Sequence, residues 1–263
     1  MFVSKSVMIV GSSMTQRAYN IEHLGFGIGL SDWYSRVADI FLRGQSGYNS
    51  RWTLASLPEL IGPHKPDMAI IFLGNNDSIT QSNGQSVPVE EFRSNMLSIM
   101  KKFRCANPQV VFLLLTPTKA TRSRVNSITE KYTRVVREIG EIDDRAAVVE
   151  LWDGNNAISS SDLCDGLHLN VEGNQKVLNG IKATTRLYFP ELVPFNDLDP
   201  LIDEKENLPN FLSPSQIDGN SQMKTASDKK CLKWLFPPWN QLSGKSLGEC
   251  TRIMNLARLR SHL

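Results

Sequence analysis

Ser13, Gly47, Asn76, Asp165 and His168 have the residue types that acyl transfer by an activated serine requires, and they fall in four short polar segments. A serine hydroxyl is a weak nucleophile until a base removes its proton. Histidine can act as that base near neutral pH because an imidazole titrates at about 6.5 in water. A carboxylate on the second ring nitrogen fixes the tautomer and stabilises the imidazolium. Asp165 stands three residues before His168, so one turn can hold both. The tetrahedral oxyanion needs donors aimed at it, and the amide of the nucleophile, the Gly47 amide and the Asn76 side chain are three candidates. Losing one such donor typically costs ~10²–10³ in rate. A serine at a helix start also gains from the helix dipole.

Taken singly, each signal is ordinary. Gly-Ser-Ser after a strand is a common turn and helix cap, a loop glycine serves positive φ, and Asn-Asp is capping chemistry. Their order along the chain is what counts. Val7–Val10, Met68–Leu73, Val110–Leu115 and Ala147–Trp152 read as short buried strands. Val89–Phe103, Ile128–Ile139 and Val171–Tyr188 read as helices. The apolar spacing of Leu30–Phe41 predicts a further helix, with Asp39–Leu42 as a competing strand. Alternating strands and helices imply an α/β fold, a three-layer α/β/α sandwich around a central parallel sheet. In such sheets ligands bind beyond the carboxyl ends of the strands, which is where the polar segments stand.

These segments resemble the sequence blocks of the SGNH hydrolase superfamily, the GDSL esterases, and within it the isoamyl acetate-hydrolysing esterase-like group. The first block, Gly-Asp-Ser-Ile-Thr-Gln in the family, is Gly11-Ser12-Ser13-Met14-Thr15-Gln16 here. The second, Arg-Gly-x-Ser-Gly-Tyr-Asn-Thr-Arg-Trp, matches Arg43 to Trp52 over its length. Gly74-Asn75-Asn76-Asp77 matches Gly-x-Asn-Asp, and Asp165 to Leu169 matches Asp-Gly-Leu-His-Leu. The resemblance spans roughly Val7 to Leu192. It implies Ser13 as nucleophile, Gly47 and Asn76 as oxyanion donors beside the Ser13 amide, Asp165 and His168 as triad partners, a flavodoxin-like fold, and no cofactor or metal. The block-one Asp of the family is Ser12 here. That substitution removes a supporting side chain, makes Ser12 a second nucleophile candidate, and opens the alternative of a catalytically impaired binding or scaffold protein.

Composition narrows the rest. The 263 residues suit one large domain or two small ones. With 41% hydrophobic and 21% charged residues, collagen, coiled-coil and wholly disordered classes are excluded. A net charge of +2 gives no general pull toward nucleic acid, and no apolar run is long enough for a transmembrane segment. Cys105, Cys164, Cys231 and Cys250 lack zinc-ligand spacing. The short apolar start does not read as a signal peptide, so a cytoplasmic protein with reduced thiols is expected. Residues 1–195 are expected to form the hydrolase domain, 196–230 a polar linker or insertion, and 231–263 a C-terminal segment. No GxSxG elbow is present, and Gly25-Phe26-Gly27-Ile28-Gly29 lacks the third glycine of a dinucleotide fingerprint. The expected partner is a small-molecule ester. A carbohydrate O-acetyl ester is one candidate, with Trp33, Trp52 and Trp152 as possible walls of a sugar site and core packing as their plainer role.

Overall fold

A computed structural model describes residues 5–80, 84–122 and 125–194; the expected linker at 196–230 and segment at 231–263 lie outside them. Five strands, β1 (Lys5–Gly11), β2 (Ala38–Gly44), β3 (Met68–Phe72), β4 (Val111–Leu115) and β5 (Ala146–Val149), form one sheet in the order β2-β1-β3-β4-β5. Every neighbouring pair is parallel. Six helices intervene: α1 (Ser13–Gln16), α2 (Phe26–Trp33), α3 (Ser50–Ile61), α4 (Val89–Ala106), α5 (Asn126–Ile142) and α6 (Val171–Tyr188).

The period-two alternation of the strands divides the core. Val7, Ile9, Ile70, Phe72, Leu113 and Leu115 face α2 and α6, meeting Phe26, Leu30, Val177 and Ile181. Met8, Val10, Ala69, Ile71, Phe112 and Leu114 face α3, α4 and α5, meeting Leu57, Phe92, Met96 and Val136. All of these are buried. Both faces of the central strands are thus covered, which is why β3 reads as an unbroken apolar run. Chain order reverses between β1 and β3, so the crevice at their carboxyl ends is where a ligand belongs in this topology.

Two expectations need correction. The helix over Leu30–Phe41 ends at Trp33, and β2 takes Ala38–Gly44, so the strand reading of Asp39–Leu42 holds. Arg36 adopts a positive φ of 68° and closes the helical run; the apolar series joined a helix end to a half-buried strand. The last strand ends at Val149 rather than Trp152. Beyond it the amide of Leu151 donates to Thr116 Oγ1 and that of Trp152 to Glu150 Oε1, so side chains replace a neighbouring strand. Helix α3 was not anticipated. Asn49 caps it by accepting from the Trp52 amide, while Pro58 in its last turns obscures the pattern.

Candidate active site

β1 delivers Gly11 to the rim, and the chain turns at once into α1, with Ser12 as N-cap and Ser13 as the first helical residue. The Ser13 amide therefore belongs to the helix end whose N–H groups lack intrahelical acceptors. Ser12 is buried and makes no side-chain capping bond, and the hydroxyl of Thr15 is buried without a partner among the described residues. β2 ends at Gly44, packed so close to α1 that a Cβ there would sit 2.0 Å from the Gln16 nitrogen. The loop after it is fastened to α1: the Gln45 amide donates to the Gly11 carbonyl, and the Ser46 amide to Gln16 Oε1 at 2.7 Å. Gly47 takes φ +80°, a conformation that side chains resist. Gln85 Nε2 donates to its carbonyl at 2.8 Å.

After β3, Asn76 and Asp77 are buried. Asn76 Nδ2 donates to the Tyr48 carbonyl at 2.8 Å, so one of its amide hydrogens is spent on the Gly47 loop. Asp77 Oδ1 accepts from the Ser50 amide at 2.9 Å, while its Oδ2 has no hydrogen-bond partner among the described residues. Burial pushes the Asp77 carboxyl up to about 6, against the opposing pull of its hydrogen bonds from Ser50. Asn75 turns the other way, trading bonds with Thr118 beyond β4.

The fourth segment lies between β5 and α6. His168 Nε2 is 3.0 Å from Ser13 Oγ, and its Nδ1 is 2.7 Å from Asp165 Oδ2. Asp165 Oδ1 accepts from the amides of Leu167 and His168, closing the turn on itself. Partial burial works to raise the Asp165 carboxyl, but the His168 and Leu167 hydrogen bonds prevail and hold it well below the usual carboxylate range. It is thus an anion facing an imidazole. The Gly166 carbonyl accepts from the amides of Thr121 and Arg122, and Arg122 Nη1 stands 3.5 Å from Asp165 Oδ2.

The structure therefore brings Ser13, His168 and Asp165 into one hydrogen-bonded line, with the segments bearing Gly47 and Asn76 fastened to each other and the Gly47 loop to α1. A hydroxyl, a base and an orienting carboxylate in that order have the parts for nucleophilic attack on a carbonyl. The three tryptophans do not gather: Trp33 and Trp152 are buried, and Trp52 is half-exposed beside Tyr48, ring centres 6.0 Å apart. Sequence reasoning missed Asn75, Thr118, Gln85 and Ser50, which hold the site from positions 38 to 43 residues distant or through a backbone amide. No local spacing announces such contacts.

The model of the GDSL-like lipase/acylhydrolase family matches residues 9–176. The chain belongs to this family. Its members include relatives that set its scale of divergence. An isoamyl acetate-hydrolyzing esterase 1 homolog of Bos taurus is 32% identical over 234 residues, covering 79% of this chain and 85% of that protein. A GDSL esterase/lipase of Arabidopsis thaliana is 29% identical over 255 residues, covering 86% and 98%. Among solved structures, the lipase/acylhydrolase of Enterococcus faecalis superposes with a TM-score of 0.56 at 20% identity, over 69% of this chain and 96% of that one. An acetylxylan esterase of Geobacillus stearothermophilus gives 0.55 at 18%, over 74% and 99%. These structural likenesses concern the fold, which they share. Family membership makes the chain a hydrolase of ester bonds. Among the described residues no helix is long and apolar enough to cross a membrane.

Proposed function

We propose that this GDSL hydrolase is a serine esterase that cleaves small carboxylic esters of acetyl or short acyl chains through an acyl-enzyme. The observation that carries the reading is the line Ser13 Oγ to His168 Nε2 to Asp165, at 3.0 and 2.7 Å. In this mechanism His168 takes the Ser13 proton as Oγ bonds to the ester carbonyl carbon. The charge that develops on the carbonyl oxygen meets the amides of Ser13 and Gly47 and the Asn76 side chain. Collapse breaks the bond to the alcohol oxygen, which leaves with the proton from His168. Water then repeats the sequence on the acyl-Ser13 ester and releases the acid. Asp165 stays ionised throughout and keeps the imidazole in one tautomer.

The relatives named for isoamyl acetate support a short acyl chain. The match over residues 9–176 supports assigning the activity to the 1–195 domain. The Asn76-Asp77-Ser78 sequon supports the cytoplasmic reading, since a glycan on Nδ2 would take one of its two hydrogens and leave none for an oxyanion beside the bond to the Tyr48 carbonyl. The test is hydrolysis of p-nitrophenyl esters from acetate to octanoate by wild type and Ser13→Ala, together with labelling by a fluorophosphonate. Activity and labelling are expected in wild type, strongest on the short esters, and lost in the variant. Full activity in Ser13→Ala would remove Ser13 from its role. No turnover and no labelling in wild type would favour a binding protein on the same fold.

A further inference from the structure

The mechanism leaves one buried ionisable group beside the oxyanion donors without a task, the Asp77 carboxyl. Four consecutive residues after β2 are each bonded to the segment after β3. The Gly47 carbonyl accepts from Gln85 Nε2 at 2.8 Å, and the Tyr48 carbonyl from Asn76 Nδ2 at 2.8 Å. Asn49 Nδ2 donates to the Gln85 carbonyl at 2.8 Å, and the Ser50 amide to Asp77 Oδ1 at 2.9 Å. The segment also closes on itself, the Val87 amide donating to the Asp77 carbonyl at 3.0 Å. This seam sets the spacing between the Gly47 amide and the Asn76 side chain, two of the three oxyanion donors. Three of its four bonds join neutral partners, and the Ser50 bond ends on a carboxyl group. Ser50 offers that group two donors. It is the first residue of α3, where an N–H lacks an intrahelical acceptor. Its Oγ accepts from the buried Asn95 Nδ2 at 3.0 Å, which leaves the hydroxyl hydrogen for Asp77. Asn95 in turn donates to Glu91, the partner of Arg51.

We propose, on the esterase reading above, that Asp77 is a positioning residue for the oxyanion hole: its ionised carboxylate, acting through Ser50, holds the Gly47 amide at its working distance from Asn76, and protonation of Asp77 loosens the seam and slows acylation. A hydrogen bond to a carboxylate is roughly twice as strong as one to a neutral acceptor, so the proton weakens the seam at one end without breaking its other bonds. Burial lifts this carboxyl to about 6, which brings the change within reach of an assay. Of the titratable groups around it, Arg51 on α3 is raised by its bond to Glu91, and Glu91 on α4 is held below the usual carboxylate range by that bond. Burial pushes Tyr132 on α5 up to about 12. The β4 loop meets the segment at Thr118, which does not titrate. Of this set, Asp77 is the group that changes charge between about pH 5 and 8.

The test is kcat/KM on p-nitrophenyl acetate, a neutral ester, for wild type and Asp77→Asn from about pH 5 to 8. The amide copies the shape of the protonated acid and cannot ionise. Rates are taken per active site, counted by fluorophosphonate labelling run to completion, so differences in folded fraction cancel. His168 titrates in both proteins, and the ratio of wild type to variant removes its contribution. That ratio is expected to be about tenfold at pH 8, the scale of a shift of a few tenths of an ångström where 1 Å costs ~10². It is expected to fall toward one as the pH drops through about 6. A fixed packing defect would instead give a ratio that does not change with pH. In wild type alone, log kcat/KM is expected to fall more steeply than the one-proton slope below about pH 6, a measurement that stands even where the variant does not fold. A ratio near one at pH 8, a ratio independent of pH, or a one-proton slope in wild type overturns the inference and leaves the esterase intact. No hydrolysis by wild type at any pH removes the esterase reading, and this inference with it.

Discussion

Asp77 offers the sharpest test of the energetics. Its side chain is fully buried, with one oxygen on the Ser50 amide and the other unpartnered among the described residues. An ordinary aspartate ionises at 3.8 and this one at about 6, chiefly because burial penalises the charged form. At about 1.4 kcal/mol per pH unit, that difference is worth roughly 3 kcal/mol. The sign follows from linkage. Below about pH 4 both folded and unfolded chains hold the proton, and Asp77 costs nothing. Between about 4 and 6 the unfolded chain releases its proton first, so stability falls as pH rises. Above about 6 both are ionised and the full penalty stands. Asp77→Asn keeps an oxygen for the Ser50 amide but cannot ionise. It carries its own fixed cost of about 1–3 kcal/mol for an unpaired buried amide, and that cost does not vary with pH. Thermal melts of both proteins from pH 4 to 7 therefore isolate the term. The difference in Tm, variant minus wild type, is expected to climb with pH and level off above about 6. At about 2–4 °C per kcal/mol for a domain of this size, the climb is roughly 6–12 °C. A flat or falling difference would refute the claim that burial controls this carboxyl.

Asp165→Asn should keep the fold but lower Tm, since the carboxylate accepts the Leu167 and His168 amides, while kcat on p-nitrophenyl acetate falls by about 10⁴, because the amide favours the wrong tautomer of His168; a loss under tenfold would contradict that role. Asn76→Ala should lower kcat by ~10²–10³ and also free the Tyr48 carbonyl, so a change confined to KM would speak against an oxyanion donor. Ser12→Asp gives the N-cap a carboxylate opposite the orphaned Thr15 hydroxyl at the third helical position, and a gain of about 0.5–1 kcal/mol is expected; a lower Tm would show that the buried charge outweighs the cap.

The chemistry was legible in the sequence because the parallel sheet sorts it. Short apolar runs such as Met68–Phe72, too brief for a helix and bounded by turn residues, read as buried strands, and in a parallel sheet the polar residues that follow them gather at one rim. The Gly11-Ser12-Ser13 turn, Asp165 and His168 fall on that rim, the family resemblance selects Ser13 from the serine pair, and Ser13 and Asp165 each stand within hydrogen-bond distance of His168. What stayed hidden is of two kinds. At Leu30–Phe41 two periodicities meet, and the backbone turn at Arg36 that separates them has no residue signature, since arginine rarely takes positive φ. The Asn75–Thr118 and Asn49–Gln85 bonds depend on chain segments 43 and 36 residues apart. A sequence read locally holds no trace of them until the topology is known.

Those hidden contacts explain why four loops can present one site. The ties run around the rim in order. Gln45 and Ser46 fasten the β2 loop to α1. Asn76 and Asp77 fasten the β3 loop to the β2 loop through the Tyr48 carbonyl and the Ser50 amide. Asn75 fastens the β3 loop to the β4 loop at Thr118, and the Thr121 and Arg122 amides fasten that loop to Gly166, inside the Asp165–His168 turn. Every tie has a backbone group on at least one side, so each fixes where a loop runs and not merely where a side chain rests. Within this ring the buried Asp77 carboxylate works against global stability near neutral pH. An amide donating to a carboxylate makes a shorter, stronger bond than one donating to a neutral side chain. The carboxyl beside Asn76 therefore spends stability of the whole domain on local order at the donors, which is the exchange expected where a site must be held to within about half an ångström.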